Sequence, residues 1–203
     1  MTGSVAWGPP SGERADAVRN RRHLLATARR MLAEQGADRL TMDSLAEQAG
    51  LGKGTVFRRF GTRAGIFQAL LDDDEHAFQA QVLSGPPPLG PGAVPLDRLI
   101  AYGRARAEFL VAHRDIARAA LDGSKPIPIG SRTPMSRVHI RMLLGQLELA
   151  GADLDMLAVQ LTGALDGPIL LYLSSDELSD AVDEVGVRIG LAWQNLVERV
   201  CRP

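Results

Sequence analysis

The sequence has one cysteine in 203 residues, Cys201. No disulfide can form within a single chain, and a reducing cytoplasm is the expected setting. Aromatic residues make up only 4%, which excludes a large stacking cage. No apolar run approaches the roughly 18 residues of a membrane span. The N-terminus, MTGSVAWGPPSGERADAVRNRR, has no apolar core and does not read as a secretory signal, so no membrane partner is expected. No stretch alternates apolar and polar residues as a half-buried strand does, and no internal repeat recurs. His23, His76, His113 and His139 have no metal-ligand spacing with one another or with Cys201. The run Asp72-Asp73-Asp74-Glu75 puts its carboxylates in different directions on a helix and reads as a solvated face. Neither a metal nor a cofactor is expected. No paired catalytic group with a recognisable motif is present, so the chain does not read as an enzyme.

What is present is helical periodicity. Hydrophobic residues make up 45%, enough for a real core. Residues 1–17 read as a flexible tail of Gly, Pro and Ser. From Val18 a stripe of Leu24, Leu25, Ala28, Met31 and Leu32 marks a helix, with Gly36 placed to end it. Thr41 is a good N-cap for a second helix carrying Met42, Leu45, Ala46 and Ala49, and Gly50 stops it. A third helix follows to about Phe60. Gly61 breaks it, and Thr62 caps a fourth carrying Ile66, Phe67, Leu70, Leu71, Ala77 and Phe78. Residues 84–95, SGPPPLGPGAVP, can only be a loop. Helical patterns return at about 96–113, 115–121, 134–150, 154–173 and 177–200. The fold class is all-α, with about nine helices. Three domains of organisation are expected: the tail, a helix-turn-helix domain over 18–78 with its motif at 41–60, and a helical domain over 84–203.

The net charge of −1 conceals an asymmetry. Glu13 to Phe67 holds 11 Arg/Lys against 6 Asp/Glu, and the remainder holds 12 against 18. A basic front part hints at nucleic acid.

The stretch GLGKGTVFRRF, 50–60, could be read two ways. As a phosphate loop it would need Gly-x-x-x-x-Gly-Lys-Ser/Thr after a strand. Gly54 stands where the Ser or Thr belongs, Glu47 where the first Gly belongs, and an amphipathic helix precedes it. A helical nucleotide-using enzyme is therefore the weaker alternative. As a helix-turn-helix the stretch works: Gly50 supplies the tight turn, and Gly52 and Gly54 let backbone come close to DNA. Lys53 and Thr55 supply donors, and Arg58 and Arg59 supply charge for phosphates.

The run from Arg22 to Leu71 resembles the N-terminal domain of the TetR (tetracycline-repressor-like) family. The matching residues are Leu25, Ala28 and Gly36, then Thr41-Met42-Asp43-Ser44-Leu45-Ala46, Ala49-Gly50-Leu51, Lys53-Gly54-Thr55-Val56-Phe57, Phe60, Arg63 and Leu70. Two departures stand out. Gly52 replaces a frequent Ser and loses a capping hydroxyl. Phe57 replaces a frequent Tyr and can offer DNA only apolar contact, for instance with a thymine methyl. By resemblance the DNA-binding residues are Thr41, Lys53, Thr55, Phe57, Arg58, Arg59 and Arg63, with Thr55 and Arg58 as base readers.

The resemblance also implies a homodimer on a palindromic double-stranded DNA operator, released by a small-molecule effector, with the fourth helix carrying the coupling. The last two helices are the expected dimer surface, with Gly167-Pro168 expected to kink or break the first of them. The effector pocket would draw on Tyr102, Phe109, His113, Met142, Gln146, Asp166 and Trp193. Asp166 leads, as a carboxylate inside an apolar helix that needs a partner or water if buried. The expected function is a transcriptional regulator acting as a repressor. A ligand-independent or activating regulator of the same fold is the alternative.

Overall fold

The computed structural model describes residues 11–120, 135–173 and 182–201. Among them lie nine α-helices and one 3₁₀ turn, with no strand. The chain divides into two compact units, Met1–Leu70 and Leu71–Pro203.

In the first unit, helix α1 spans Ser11–Gln35. It begins seven residues before Val18, where apolar periodicity starts. The residues between are Glu, Arg, Ala and Asp in the main, which favour helix without needing a buried face, so periodicity missed them. This shortens the expected tail; residues 1–10 lie outside the described residues. The buried face of α1 is Leu24, Leu25, Thr27, Ala28 and Met31. Gly36 ends it at φ 78°, a conformation that other residues resist. A 3₁₀ turn, Ala37–Arg39, then leads to α2, Met42–Gln48.

Thr41 caps α2 as its sequence position predicts. The Ser44 N–H donates to Thr41 Oγ1 at 3.1 Å, and the Thr41 N–H donates back to Ser44 Oγ at 2.9 Å, closing a capping box. At the other end, His23 Nε2 lies 2.9 Å from the Ala49 carbonyl oxygen and ties α2 to α1. Gly50 turns the chain at φ 63°, and α3 runs over Lys53–Phe60 with Val56 fully buried. The segment before the GKGT stretch is thus a helix, and no strand–loop–helix phosphate cradle exists there. Gly61, at φ 72°, ends α3. Thr62 Oγ1 accepts from the Gly65 N–H at 3.0 Å and opens α4, Arg63–Ser84.

The second unit takes the rest of α4 and then α5 (Pro95–Ala112), α6 (Arg114–Ala119), α7 (Met135–Leu144), α8 (Leu154–Leu173) and α9 (Val182–Cys201). Helix α7 is shorter than its periodicity predicts. Gly145 follows its last turn, and tight three-residue bonds close the chain from Leu143 to Leu147. Asp153 Oδ1 accepts from the Met156 N–H at 3.0 Å and caps α8. That helix is continuous through Pro168, so the expected kink or break at Gly167-Pro168 is not a break. Residues 177–181, expected in α9, lie outside the described residues.

The core of this unit joins Phe78 and Val82 of α4 with Leu99 and Tyr102 of α5, Ile140, Leu143 and Leu144 of α7, Leu161 and Leu165 of α8, and Trp193 and Val197 of α9. Helices α5 and α9 pack face to face because Gly103 leaves room for the Trp193 ring. A Cβ at position 103 would sit 2.0 Å from Trp193 Nε1. The same indole N–H donates to the Leu99 carbonyl at 2.9 Å. Gly103→Ala is therefore expected to destabilise the protein by roughly 1–3 kcal/mol, the usual cost of overpacking a rigid core site. That lowers the melting temperature by a few degrees per kcal/mol, read in a thermal melt followed by circular dichroism.

Candidate nucleic-acid interface and effector cluster

The turn between α2 and α3 presents the start of α3 to solvent. Its N-cap, Gly52, offers no side-chain acceptor, so no capping bond closes this end of the helix. A Cβ at Gly52 or Gly54 would meet nothing within 4 Å. Intramolecular packing does not require glycine at either place. Lys53, Phe57, Arg58 and Arg59 are all exposed. Phe57 is 63% exposed, an uncommon position for a phenyl ring in a folded chain. Val56, on the opposite side, anchors the helix to its unit.

These side chains differ in what holds them. Lys53 Nζ pairs with Asp43 Oδ2 on α2 at 2.7 Å, with both side chains about 70% exposed. An ion pair this exposed contributes little stability and leaves the lysine able to exchange partners. Arg59 donates to the Ala17 carbonyl on α1 at 3.1 Å. Arg58 is exposed, and among the described residues no hydrogen bond or ion pair restrains it. Thr55 is half-buried.

Two of the seven expected contact residues are engaged in the fold. The Thr41 hydroxyl belongs to the capping box. The Arg63 guanidinium donates to the Leu40 carbonyl at 2.8 Å and the Ala37 carbonyl at 2.6 Å, and lies 4.9 Å from the Phe67 ring centre. It pins the 3₁₀ turn that precedes the helix-turn-helix, which its sequence position at the start of α4 does not reveal.

In the second unit, four of the expected effector residues gather in one place. Tyr102 is buried and donates to Ser136 Oγ at 2.7 Å. Phe109 stacks on His113 at 4.1 Å and lies 5.2 Å from the Phe78 ring. His113 Nε2 stands 3.2 Å from Asp74 Oδ2. Asp166 has one carboxylate oxygen, Oδ1, that is buried without a hydrogen-bond partner. Trp193 packs instead in the α5–α9 contact, with its N–H on Leu99. Met142 and Gln146 are exposed at the end of α7 and its following turn and do not join the cluster.

The centre of the cluster is a residue that the motif search passed over. Arg106 is 4% exposed, its NH1 donates to Glu75 Oε2 at 2.6 Å, and its guanidinium lies 5.1 Å from the Phe109 ring and 5.7 Å from Phe78. A signal did exist: positions 99, 102, 103, 106, 107 and 110 form the buried stripe of α5, and a charge inside an apolar stripe needs a partner. The partner also corrects the reading of Asp72–Glu75 as a solvated face. Asp74 and Glu75 turn inward to His113 and Arg106.

Burial shifts the titrating groups here. It raises the Asp166 carboxyl, with Arg106 opposing and Glu75 reinforcing the shift. It also raises the Tyr102 phenol, against the pull of its Ser136 bond. Burial works to lower His113, but the hydrogen bond to Asp74 and the Phe109 carbonyl outweigh it and the imidazole ends above its usual value. His139, its ring 4.8 Å from Tyr102, is pushed down to about 4 by burial and by the charge of Arg98.

The comparisons agree with this geometry. Residues 24–70 match the family described as bacterial regulatory proteins, tetR family. A DNA-binding transcriptional repressor, TetR of Mycobacteroides abscessus, is 39% identical over 59 residues, which cover 29% of this chain and 31% of that protein. The chain thus aligns with about a third of the length of the curated relatives it matches. A TetR-family transcriptional regulator from Pectobacterium atrosepticum superposes with a TM-score of 0.70 at 20% identity, covering 94% of this chain and 98% of that one. SmeT, solved as a complex with triclosan, superposes with a TM-score of 0.54 at 18% identity over 89% and 90% of the two chains. The first two of these are described as transcriptional regulators. Among the described residues no helix is long and apolar enough to cross a membrane.

His139 makes the cluster sensitive to acid. Its folded-state pKa lies below the roughly 6.5 of a free imidazole, so the unfolded chain binds the proton first. The stability it lends is complete above about pH 6.5 and is lost as pH falls toward 4, at up to about 1.4 kcal/mol per pH unit. His139→Gln should remove that part of the slope between pH 6.5 and 5 in urea melts. An unchanged slope would place the acid sensitivity elsewhere. Residues 24–70 thus match the N-terminal domain of the tetR family of bacterial regulatory proteins, and the chain as a whole shares the fold of the solved TetR-family regulator it superposes on.

Proposed function

We propose that the protein is a homodimeric, sequence-specific DNA-binding regulator, acting as a repressor that leaves its palindromic operator when a small molecule binds the helical domain. The observation that carries this reading is the free face of α3. It combines an uncapped N-terminus, two glycines that no internal contact requires, and an exposed Lys53, Phe57, Arg58 and Arg59. Helix N-termini attract phosphate through free N–H groups and the helix dipole, and small residues let the sugar–phosphate backbone approach. The M. abscessus relative, 39% identical over 59 residues, is itself a DNA-binding transcriptional repressor.

In this reading residues 18–78 bind DNA and 84–203 hold the effector and the dimer contact. Lys53 and Arg59 position the domain on phosphates. Thr55 and Arg58 read base edges, and Phe57 meets a thymine methyl. Thr41 and Arg63 serve by holding the turn in shape. A single recognition helix reads few bases, so a dimer spanning successive major grooves about 34–36 Å apart supplies the rest. An effector that alters the spacing of the two helices lowers affinity, with α4, continuous from Arg63 to Ser84, as the coupling element.

The dimer surface is assigned to α8 and α9. Met156 and Val159 on α8 and Val187, Leu191, Leu196 and Val200 on α9 are large apolar residues left exposed. Beside them a groove of about 480 Å³ is lined by Ala164, Pro168, Ile189, Trp193 and Leu196. Apolar surface of this extent is what paired helices of a four-helix bundle bury.

Two experiments test the proposal. In a mobility-shift titration, Arg59→Ala should weaken binding to all sequences and flatten the dependence of affinity on salt. Arg58→Ala should relax sequence choice at a cost of roughly 1–3 kcal/mol on the cognate site. Identical behaviour of the two variants would contradict the division of roles, and the absence of DNA binding by the wild type would end the reading. Separately, Leu191→Arg should shift the protein from dimer to monomer in sedimentation velocity. A variant that stays dimeric would move the interface away from α9.

A further inference from the structure

Buried polar atoms in a helical core are nearly always paired, because an orphan costs about 1–3 kcal/mol. Among the described residues of the second unit, four side-chain atoms are buried without a hydrogen-bond partner: Arg98 Nε, Arg106 Nε, His139 Nε2 and Asp166 Oδ1. The last three are neighbours, and Arg98 acts on His139. Tyr102 meets His139 ring to ring at 4.8 Å and Phe78 at 5.9 Å, and the Arg106 guanidinium lies 5.7 Å from the Phe78 ring centre. Asp166 acts electrostatically with Arg106, Glu75 and Tyr102. Arg106 and His139 are 4% and 3% exposed, so bulk solvent does not satisfy them. Apolar side chains could have filled these places at no such cost. Three unsatisfied groups converging from α5, α7 and α8 are instead the polar lining of a site.

The charges decide what the site accepts. Arg106 is already matched by Glu75 at 2.6 Å. His139 is neutral near pH 7. His113 and Asp74 are matched to each other, and Arg98 acts on His139 but is absent from the interactions of Asp166 and Tyr102. Two charges are left without an ion-pair partner among the described residues, the Asp166 carboxylate and, on the His139 side, Arg98. An anion entering beside Asp166 would meet two carboxylates and a guanidinium already taken. A cation with N–H donors would satisfy Asp166 and lie against the faces of Phe78, Phe109 and Tyr102, which attract positive charge. Arg106 Nε and His139 Nε2 remain for a polar atom on the same molecule.

We propose that the cluster of Tyr102, Arg106, His139 and Asp166 is the effector site, and that it takes an organic ammonium ion with a compact apolar body, Asp166 serving as counter-ion. This rests on the ligand-responsive reading above and adds the chemistry of the ligand.

The test is a matched series: 4-phenylbutylamine, 4-phenylbutanol and 4-phenylbutanoate, at equal millimolar concentrations and pH 7.5, added to the full-length protein in thermal melts. The amine should raise the melting temperature by about 3 °C or more, with clearly smaller shifts from the alcohol and the carboxylate. Asp166→Asn keeps an oxygen acceptor and removes the charge. It should melt no lower than wild type, and its affinity for the amine should fall about tenfold with that for the alcohol unchanged. Equal shifts across the series, no shift from any of the three, a larger shift from the carboxylate, or full amine binding by Asp166→Asn would each overturn the site. The wild-type comparison stands even if the variant does not fold. Mobility shifts with the same compounds keep the two proposals apart. Operator release by the carboxylate or the alcohol alone preserves a ligand-responsive repressor and removes this site. Operator binding that no compound releases counts against the ligand-responsive reading itself.

Discussion

The indole of Trp193 occupies the space that a side chain at position 103 would need, and much of the second unit follows from that contact. With Gly103 turned to α9, the rotation of α5 about its own axis is set. Tyr102, the preceding residue, then reaches Ser136 on α7 and Phe78 on α4. Arg106, one turn on, meets Glu75 on α4. A shape constraint between two helices thus decides where a buried charge goes. Gly186 and Gly190 on α9 extend the same close approach, with Val111 and Arg104 of α5 within 4 Å of where their Cβ atoms would stand.

The first unit is governed by its turns. Gly36, Gly50 and Gly61 all have positive φ, and each ends one of the three helices. Between them the chain closes its backbone accounts locally: the Thr41–Ser44 capping box opens α2, His23 takes the last carbonyl of its end, and Arg63 takes two carbonyls of the preceding turn. The start of α3 is the exception. It lacks a side-chain cap, whereas the other short α-helix of the unit, α2, is capped by Thr41 and tied by His23. This is an exposed feature that the fold tolerates and a phosphate would satisfy.

The two units differ in how far they can be read from residues alone. The first is built from contacts within about 50 residues, and its signals are local: a cap, a stop glycine, an apolar stripe. Helix boundaries from Thr41 to Gly61 follow directly from them. The buried polar cluster around Arg106 is built from contacts that cross 30 or more residues, Glu75 to Arg106 and Tyr102 to Ser136 among them. No local pattern states that Asp74 and Glu75 face inward, or that Met142 and Gln146 face out. Asp166 was legible because a carboxylate in an apolar helix conflicts with its surroundings. Arg106 was legible in principle for the same reason, as a charge in the buried stripe of α5.

The sequence by itself determined the all-α class and the helix-turn-helix with its stop glycines. Those properties depend on propensity and periodicity, which act between near neighbours. The tertiary structure alone decided that Arg63 pins a turn, that Lys53 rests on Asp43, and that three buried polar atoms lie unpaired around Tyr102. Those outcomes depend on which helices meet and at what rotation. In the second unit they are set by the packing of Gly103 against Trp193 and its neighbours, residues 90 apart in the chain.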